Sequence, residues 1–239
     1  MQGACGVFAL ACYSPVEGRM VVPGEDPAAQ TSVESVLAHE YGHHLAASRL
    51  NPPWEAVAYG TKRWASYEQI CRDAQAGLVY PGAEDFGRYR LNPGEGFAEA
   101  YRVFNERRLA RPEAPWEIVS PIFYPDAPAL GALEQDITAP WRSNTVSTVR
   151  GGFSRPGTRT RTYGFTAMLD GAVSATLRAP STARLRLELL SSGGSRISQA
   201  VVAGGGKVAQ GIACGSRSFG VRVTRLAGSG EFRLVLSRP

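Results

Sequence analysis

The 239-residue chain has three histidines, and none lies beyond position 44. This excludes any metal site that draws a third histidine from later in the sequence, including the extended H-E-x-x-H-x-x-G-x-x-H arrangement. Lysine is nearly absent, with only Lys62 and Lys207, so arginine carries the basic charge. Carboxylates run out after Pro140, where only Asp170, Glu188 and Glu231 remain. A calcium cluster needs about 6–8 oxygen ligands, and that half of the chain has too few donors to supply it. The four cysteines, Cys5, Cys12, Cys71 and Cys214, show no C-x-x-C spacing and lie away from the histidines, which argues against a zinc–thiolate site. Their even number suits disulfides. A bridge from Cys71 to Cys5 or Cys12 would tie the amino-terminal segment to a later helix, and four buried thiols are the alternative. No stretch approaches the ~18 apolar residues of a membrane span. Met1 to Ser14 lacks the basic start and apolar core of a signal peptide. Only residues 1–31 precede the first expected helix, which leads us to expect a natural precursor that begins further upstream.

All three histidines fall in the run His39-Glu40-Tyr41-Gly42-His43-His44. On a helix, positions i and i+4 share a face, so His39 and His43 can offer imidazole nitrogens to one metal ion, with Glu40 beside it as a base. His44 sits about 100° further round the helix and points elsewhere, as a solvated or hydrogen-bonded neighbour. The third protein ligand is then expected to be a carboxylate.

Charge divides the chain. Up to Pro140 there are 11 Lys+Arg against 18 Asp+Glu, and from Trp141 onward 15 against 3. Periodicity changes at the same place, from helical to alternating. We therefore expect an α+β protein: a mainly helical unit over 1–140 with a small edge hairpin, a linker over 141–150, and an all-β sandwich over 151–239. In the first unit, Gly6 to Tyr13 and Arg19 to Val22 read as a hairpin around Ser14 to Gly18. One arm of it is a candidate rail for an extended peptide. Thr31 and Glu34 form a capping-box pattern, placing a helix start near Ser32, with Val33, Val36, Leu37, Tyr41 and Leu45 facing inward and Asn51-Pro52-Pro53 ending it. Trp54 to Tyr59 and Lys62 to Ala76 read as helices, Pro81 to Asn92 as irregular, and Asn92-Pro93 as the cap and first turn of a helix to about Leu109. A short helix is expected around Ala129 to Ile137. In the second unit the alternation of Leu185, Leu187 and Leu189, of Phe219, Val221 and Val223, and of Phe232, Leu234 and Leu236 predicts seven or eight short strands. Asp170-Gly171 reads as a hairpin turn.

Among the later carboxylates, Glu95 and Glu99 stand out because they share one face at the start of a helix, where one can reach the metal and the other can sit behind a ligating histidine. Glu55, Glu68, Asp73, Glu84 and Asp85 compete without such pairing. The pair of motifs, His39-Glu40-x-x-His43 and Asn92-Pro93-Gly94-Glu95-Gly96-Phe97-Ala98-Glu99-Ala100-Tyr101, resembles the gluzincin metallopeptidases, the second block being similar to that of the anthrax lethal factor type. The resemblance spans roughly residues 36–105. It implies Zn²⁺ on His39, His43 and Glu95, Glu40 as general base, Glu99 behind His39, and a transition-state tyrosine before the ligand glutamate, for which Tyr89 is nearest although offset by one residue. The β-rich part resembles the bacterial pre-peptidase carboxy-terminal domain through its D-G turn, its alternating final strands and the closing Ser229 to Leu234.

The expected function is zinc-dependent hydrolysis of a peptide or protein substrate, with the basic second unit available to an anionic surface or polymer and no specific nucleic-acid role. The alternative is a non-catalytic binding or adhesion module with a structural zinc or an inactive zincin-like domain. A DNA-repair protease with a basic tail fits less well, because those enzymes use a third histidine and the tail lacks clustered aromatics.

Overall fold

The computed structural model describes residue 5 and residues 9–154, 157–215 and 217–239, with only the backbone at Phe86. It is an α+β protein of two compact units, Met1–Arg142 and Ser143–Pro239. Each closes its own core. One is built around Trp64, Phe97, Phe123 and Leu133, the other around Leu177, Leu185, Leu187, Val221 and Leu234.

The first unit begins with a hairpin of β1 (Cys12–Ser14) and β2 (Arg19–Val21), joined in antiparallel register. Gly6 to Phe8, expected in its first arm, lie outside the described residues. Helix α1 (Val33–Ala47) follows, with the Ser32 hydroxyl accepting from the Ser35 amide at 3.1 Å. The cap is therefore Ser32, and the expected Thr31–Glu34 box does not form, because Thr31 is held in a bridge to Ala28. The helix ends at Ala47, and its tail leads to a two-residue pair, β3 (Leu50–Asn51) and β4 (Trp54–Glu55). Four short helices come next: α2 (Ala56–Tyr59), α3 (Lys62–Tyr67), α4 (Ile70–Gln75) and α5 (Phe86–Tyr89). The expected single helix over 62–76 is broken at Gln69, whose φ of 56° is left-handed. Helix α5 falls in the stretch read as irregular; Asp85 caps it by accepting from the Arg88 amide. Helix α6 (Pro93–Arg108), a 3₁₀ turn at Pro121–Phe123 and α7 (Ala127–Thr138) complete the unit. The Asn92 side chain caps α6 through the Gly94 amide at 2.9 Å, as its sequence implied.

Two residues expected inside α1 are outside. Leu37 and Tyr41 are 42% and 43% exposed, while Val36 and Leu45 are buried. The buried stripe of α1 contains His39, Glu40 and Gly42 in their place. Leu37 and Tyr41 instead line a groove of about 530 Å³ shared with Tyr101 and Leu109 of the α6 region.

The second unit corrects the expected sandwich of seven or eight short strands. One continuous six-stranded sheet curls on itself. Its spine is a hairpin of two long strands, β7 (Gly171–Leu190) and β8 (Arg196–Ala213), turned at Gly194 with φ 78°. Strands β10 (Gly230–Arg238) and β5 (Thr145–Phe153) extend one half of β7, and β9 (Ser218–Gly228) and β6 (Thr160–Thr166) extend the other. The corner lies where the β7–β8 ladder skips from Ala179/Gly205 to Arg184/Ala203. Since β7 and β8 pass through both halves, no second sheet separates. Strand β5 begins at Thr145, inside the stretch read as linker, because its β-branched Thr145, Val146, Thr148 and Val149 favour extended backbone and pair with β10. Asp170-Gly171 does not close a two-stranded hairpin either: β6 pairs with β9, and Asp170 accepts from the Gly215 amide and the Arg217 guanidinium. The three alternating triplets do face inward, each member 5% exposed or less.

Candidate metal centre

Three donor atoms converge between α1 and α6. His39 Nε2 lies 3.2 Å from His43 Nε2 and 3.2 Å from Glu95 Oε2, and His43 Nε2 lies 3.3 Å from the same oxygen. The corners of a tetrahedron centred ~2.0 Å from each are ~3.3 Å apart, so the spacing matches what four-coordinate zinc asks of imidazole and carboxylate ligands. Among the described residues these three form the group of His, Cys, Asp and Glu side chains close enough to share a metal ion. The donor set also presents the right atoms. His39 turns Nδ1 to Glu99 Oε2 at 3.3 Å, which favours the tautomer with its proton on Nδ1 and a lone pair on the inward Nε2.

Glycines set this convergence. A Cβ on Gly42 would lie 2.7 Å from the Ala98 Cα, so α1 and α6 touch backbone to backbone beside the histidines. Gly94 and Gly96 flank Glu95. A Cβ on the first would meet the Val57 carbonyl oxygen at 2.4 Å, and one on the second would meet the Phe123 ring at 2.6 Å. The first turn of α6 is thereby seated against α2 and the 3₁₀ turn, aiming Glu95 at the histidines.

Behind the donors runs a buried polar chain that the sequence reading did not find. Arg102 Nε donates to Glu99 Oε2 at 2.5 Å and its Nη1 to Glu106 Oε2 at 2.6 Å; the Ser35 hydroxyl donates to Glu106 Oε1 at 2.7 Å. Ser35 precedes His39 by one helical turn, so the chain leaves α1 at His39 and returns to it at Ser35. The signal was present in the spacing of Glu99, Arg102 and Glu106, which share one helical face.

Electrostatics give the cluster an appetite for positive charge. Burial opposes protonation of His39, but hydrogen bonds to Glu95 and Glu99 outweigh it and push its pKa up to about 10. Burial raises Glu95 and Glu99, yet hydrogen bonds from the histidines, and from Arg102 to Glu99, hold both below the usual carboxylate range. A proton on His39 or a divalent cation neutralises the same excess of negative charge. Glu40, 6% exposed, is pushed up by burial, with the charges of His39 and His43 acting against the shift. Helix α5 brings Tyr89 in: its hydroxyl donates to Glu95 Oε2 at 2.7 Å, and burial followed by the charge of Glu95 raises its pKa so that it stays a donor.

The remaining candidates stand apart. His44 pairs Nδ1 with the Tyr13 hydroxyl at 3.1 Å, binding β1 to α1. Asp73 pairs with Arg72 and Asp85 caps α5; neither they nor Glu55, Glu68 and Glu84 join the donor group. The expected Cys71 bridge to the amino-terminal segment is replaced by Cys5–Cys12, with Cα atoms 5.4 Å apart, and none of the four cysteines is a free thiol.

No protein-family model and no curated protein matches the chain. Solved structures similar to part of it include the pre-peptidase C-terminal domain of a collagenase from Bacillus anthracis, at 16% identity and TM-score 0.33, over 37% of this chain and 87% of that one. A mitogen from Yersinia pseudotuberculosis is similar at 13% identity and TM-score 0.31, over 40% and 87%. A periplasmic inhibitor of g-type lysozyme from Aeromonas hydrophila is similar at 16% identity and TM-score 0.30, over 40% and 86%. At these TM-scores the likenesses have no bearing on activity.

Proposed function

We propose that the helical unit is a gluzincin-type zinc endopeptidase, hydrolysing peptide bonds at the His39–His43–Glu95 centre. The observation that carries this reading is the triangle of donor atoms 3.2–3.3 Å apart, with Glu40 and Tyr89 beside it. His39, His43 and Glu95 would hold Zn²⁺, which would supply Lewis acidity and lower the pKa of the attacking water towards ~7. Glu40, held above its ordinary pKa by burial, takes the proton of the attacking water and delivers it to the leaving amine. Tyr89 supplies a protonated hydroxyl to the oxygen on which negative charge develops, a contact worth about 3 kcal/mol in comparable sites. Glu99 and the Arg102–Glu106–Ser35 chain fix the ring of His39. Strand β1, anchored by Tyr13 to His44, is the rail along which an extended substrate adds.

The basic unit supports docking on an anionic surface or polymer. Arg150, Arg233 and Arg178 stand side by side on three adjacent strands and are all exposed. Like charges directly opposite one another cost stability unless an anion lies across them. Oxidised cysteines suit a secreted protein, and among the described residues no helix is long and apolar enough to cross a membrane.

Cleavage of an unfolded protein substrate, abolished by a chelator and restored by zinc, is the deciding experiment. Glu40→Gln should keep the metal and lose most activity, whereas Glu95→Ala should lose both. A zinc-loaded chain that cleaves nothing is the non-catalytic module instead, and equal metal loss in both variants refutes the assigned roles.

A further inference from the structure

Strand β8 has a free edge. It pairs with β7 from Leu190/Arg196 to Gly171/Ala213, and no other described strand pairs with it. Edges of this length attract other strands, and proteins commonly guard them with charge or proline. Over its 18 residues β8 carries only Arg196 and Lys207 as charges and has no proline. It also leaves Ile197, Val201, Val208 and Ile212 between 41% and 49% exposed.

Five of its nine residue pairs, counted inward from both ends, are identical. About a midpoint between Gly204 and Gly205, Ile197 mirrors Ile212, Gln199 mirrors Gln210, Ala200 mirrors Ala209 and Val201 mirrors Val208. Arg196/Ala213, Ser198/Gly211, Val202/Lys207 and Ala203/Gly206 are the unmatched pairs. Facing is mirrored as well. Residues 199 and 201 are exposed before the midpoint and their mates 210 and 208 after it, whereas Val202 is buried and its mate Lys207 exposed. Strict alternation would break this symmetry; the left-handed Gly204 and Gly205, at φ 78° and 69°, reset the phase at the corner.

We infer that β8 is a self-pairing edge, and that two copies of this chain join antiparallel through it about a twofold axis between Gly204 and Gly205. Antiparallel partners directly opposite each other present side chains on the same face. In this register Val201 of one copy meets Val208 of the other, and Gln199 meets Gln210, each twice. A twofold axis along the sheet normal leaves both copies bending toward the same side, so the corner does not obstruct the pairing, and the contact is isologous, hence closed at a dimer. The inference concerns the β unit and is independent of the proposed hydrolysis.

Sedimentation equilibrium of the full chain tests it, with the fold followed by circular dichroism. The native chain should be dimeric at tens of micromolar. Val201→Lys with Val208→Lys places like charges opposite each other twice and should raise the dissociation constant about tenfold or more. Val201→Lys with Val208→Glu places opposite charges together in the same register and should recover most of the loss. If the first double variant unfolds, Gln199→Lys with Gln210→Lys, compared with Gln199→Lys with Gln210→Glu, reads the same register one pair further out. A native chain that stays monomeric at 100 µM overturns the inference, whether or not it captures an extended peptide, as does a charge-swapped variant no more dimeric than its like-charged counterpart.

Discussion

Gly42→Ala tests the geometry of the centre without touching any donor atom. The added Cβ would sit 2.7 Å from the Ala98 Cα, 3.1 Å from its carbonyl oxygen and 3.3 Å from its Cβ. Carbon atoms in contact settle at about 3.5–4.0 Å, so α1 and α6 must part locally by about 1 Å, since helix backbone cannot rotate aside as a side chain can. Overpacking of this kind costs about 1–3 kcal/mol, and the better helix propensity of alanine returns about 1 kcal/mol, leaving a modest net destabilisation. The larger effect is expected at the proposed zinc site. His39 and His43 ride on α1 and Glu95 on α6, so the 3.2 and 3.3 Å separations between the helices would open to about 4 Å. Ligands ~2.0 Å from one ion reach that separation only when opposite each other, which a tetrahedral site does not allow. Zinc affinity, read by competition with a chromophoric chelator, should fall about 10- to 100-fold while the melting temperature drops by a few degrees. A variant that keeps wild-type zinc affinity would show that the α1–α6 contact does not set the donor spacing.

Arg102→Met should be more damaging to the fold, because it leaves Glu99 and Glu106 buried without their shared cation; we expect a loss of about 3–5 kcal/mol in chemical denaturation, together with weaker zinc binding. Zinc affinity should rise with pH by about tenfold per unit around neutrality, with close to one proton released on binding. His39, with its pKa pushed up to about 10, must give up its proton to the ion, and calorimetry in buffers of different ionisation enthalpy reads this directly. Glu68 is pushed up to about 7 by burial and then by Asp126 and Asp73. Since the folded chain holds that proton more tightly than the unfolded chain, its contribution is fully present below about pH 4 and lost as pH rises through 7. Glu68→Gln should therefore stabilise by about 1 kcal/mol at pH 8, after discounting for partial exposure, and change little at pH 4. An equal effect at both pH values would refute the assignment.

The fold was legible where one physical preference acted alone. The inward alternation of Leu185, Leu187 and Leu189 follows from a sheet with one buried face. The start of α6 follows from an asparagine cap and a proline with no amide to satisfy. Where two preferences competed, the sequence misled. Leu37 and Tyr41 have the spacing of core residues, but His39, Glu40 and Gly42 occupy the buried stripe, because α6 packs against that side, its Ala98 backbone against Gly42. Gly204 to Gly206 have the composition of a loop, yet they turn a corner within one long strand, which makes one curled sheet out of what alternation alone presents as two layers.

At the candidate centre the donors were legible because ligand chemistry allows few residue types at few spacings, and their supports were not. Arg102 and Glu106 look like a helical ion pair on any solvated surface until burial shows that Glu99 stands between them and His39. Ser35 carries no signal at all, since its role depends on a partner 71 positions away. Gly42 is the sharpest case, for an interior helix glycine costs about 1 kcal/mol relative to alanine, and local preference argues against it. The cost makes sense only with α6 in place, where the missing Cβ lets two backbones approach closely enough to bring Glu95 within 3.3 Å of both histidines. Donor identity is therefore written in the motif, while donor distance is written in small residues that the motif leaves unspecified, and variants at Gly42, Gly94 and Gly96 should move metal affinity more than fold stability.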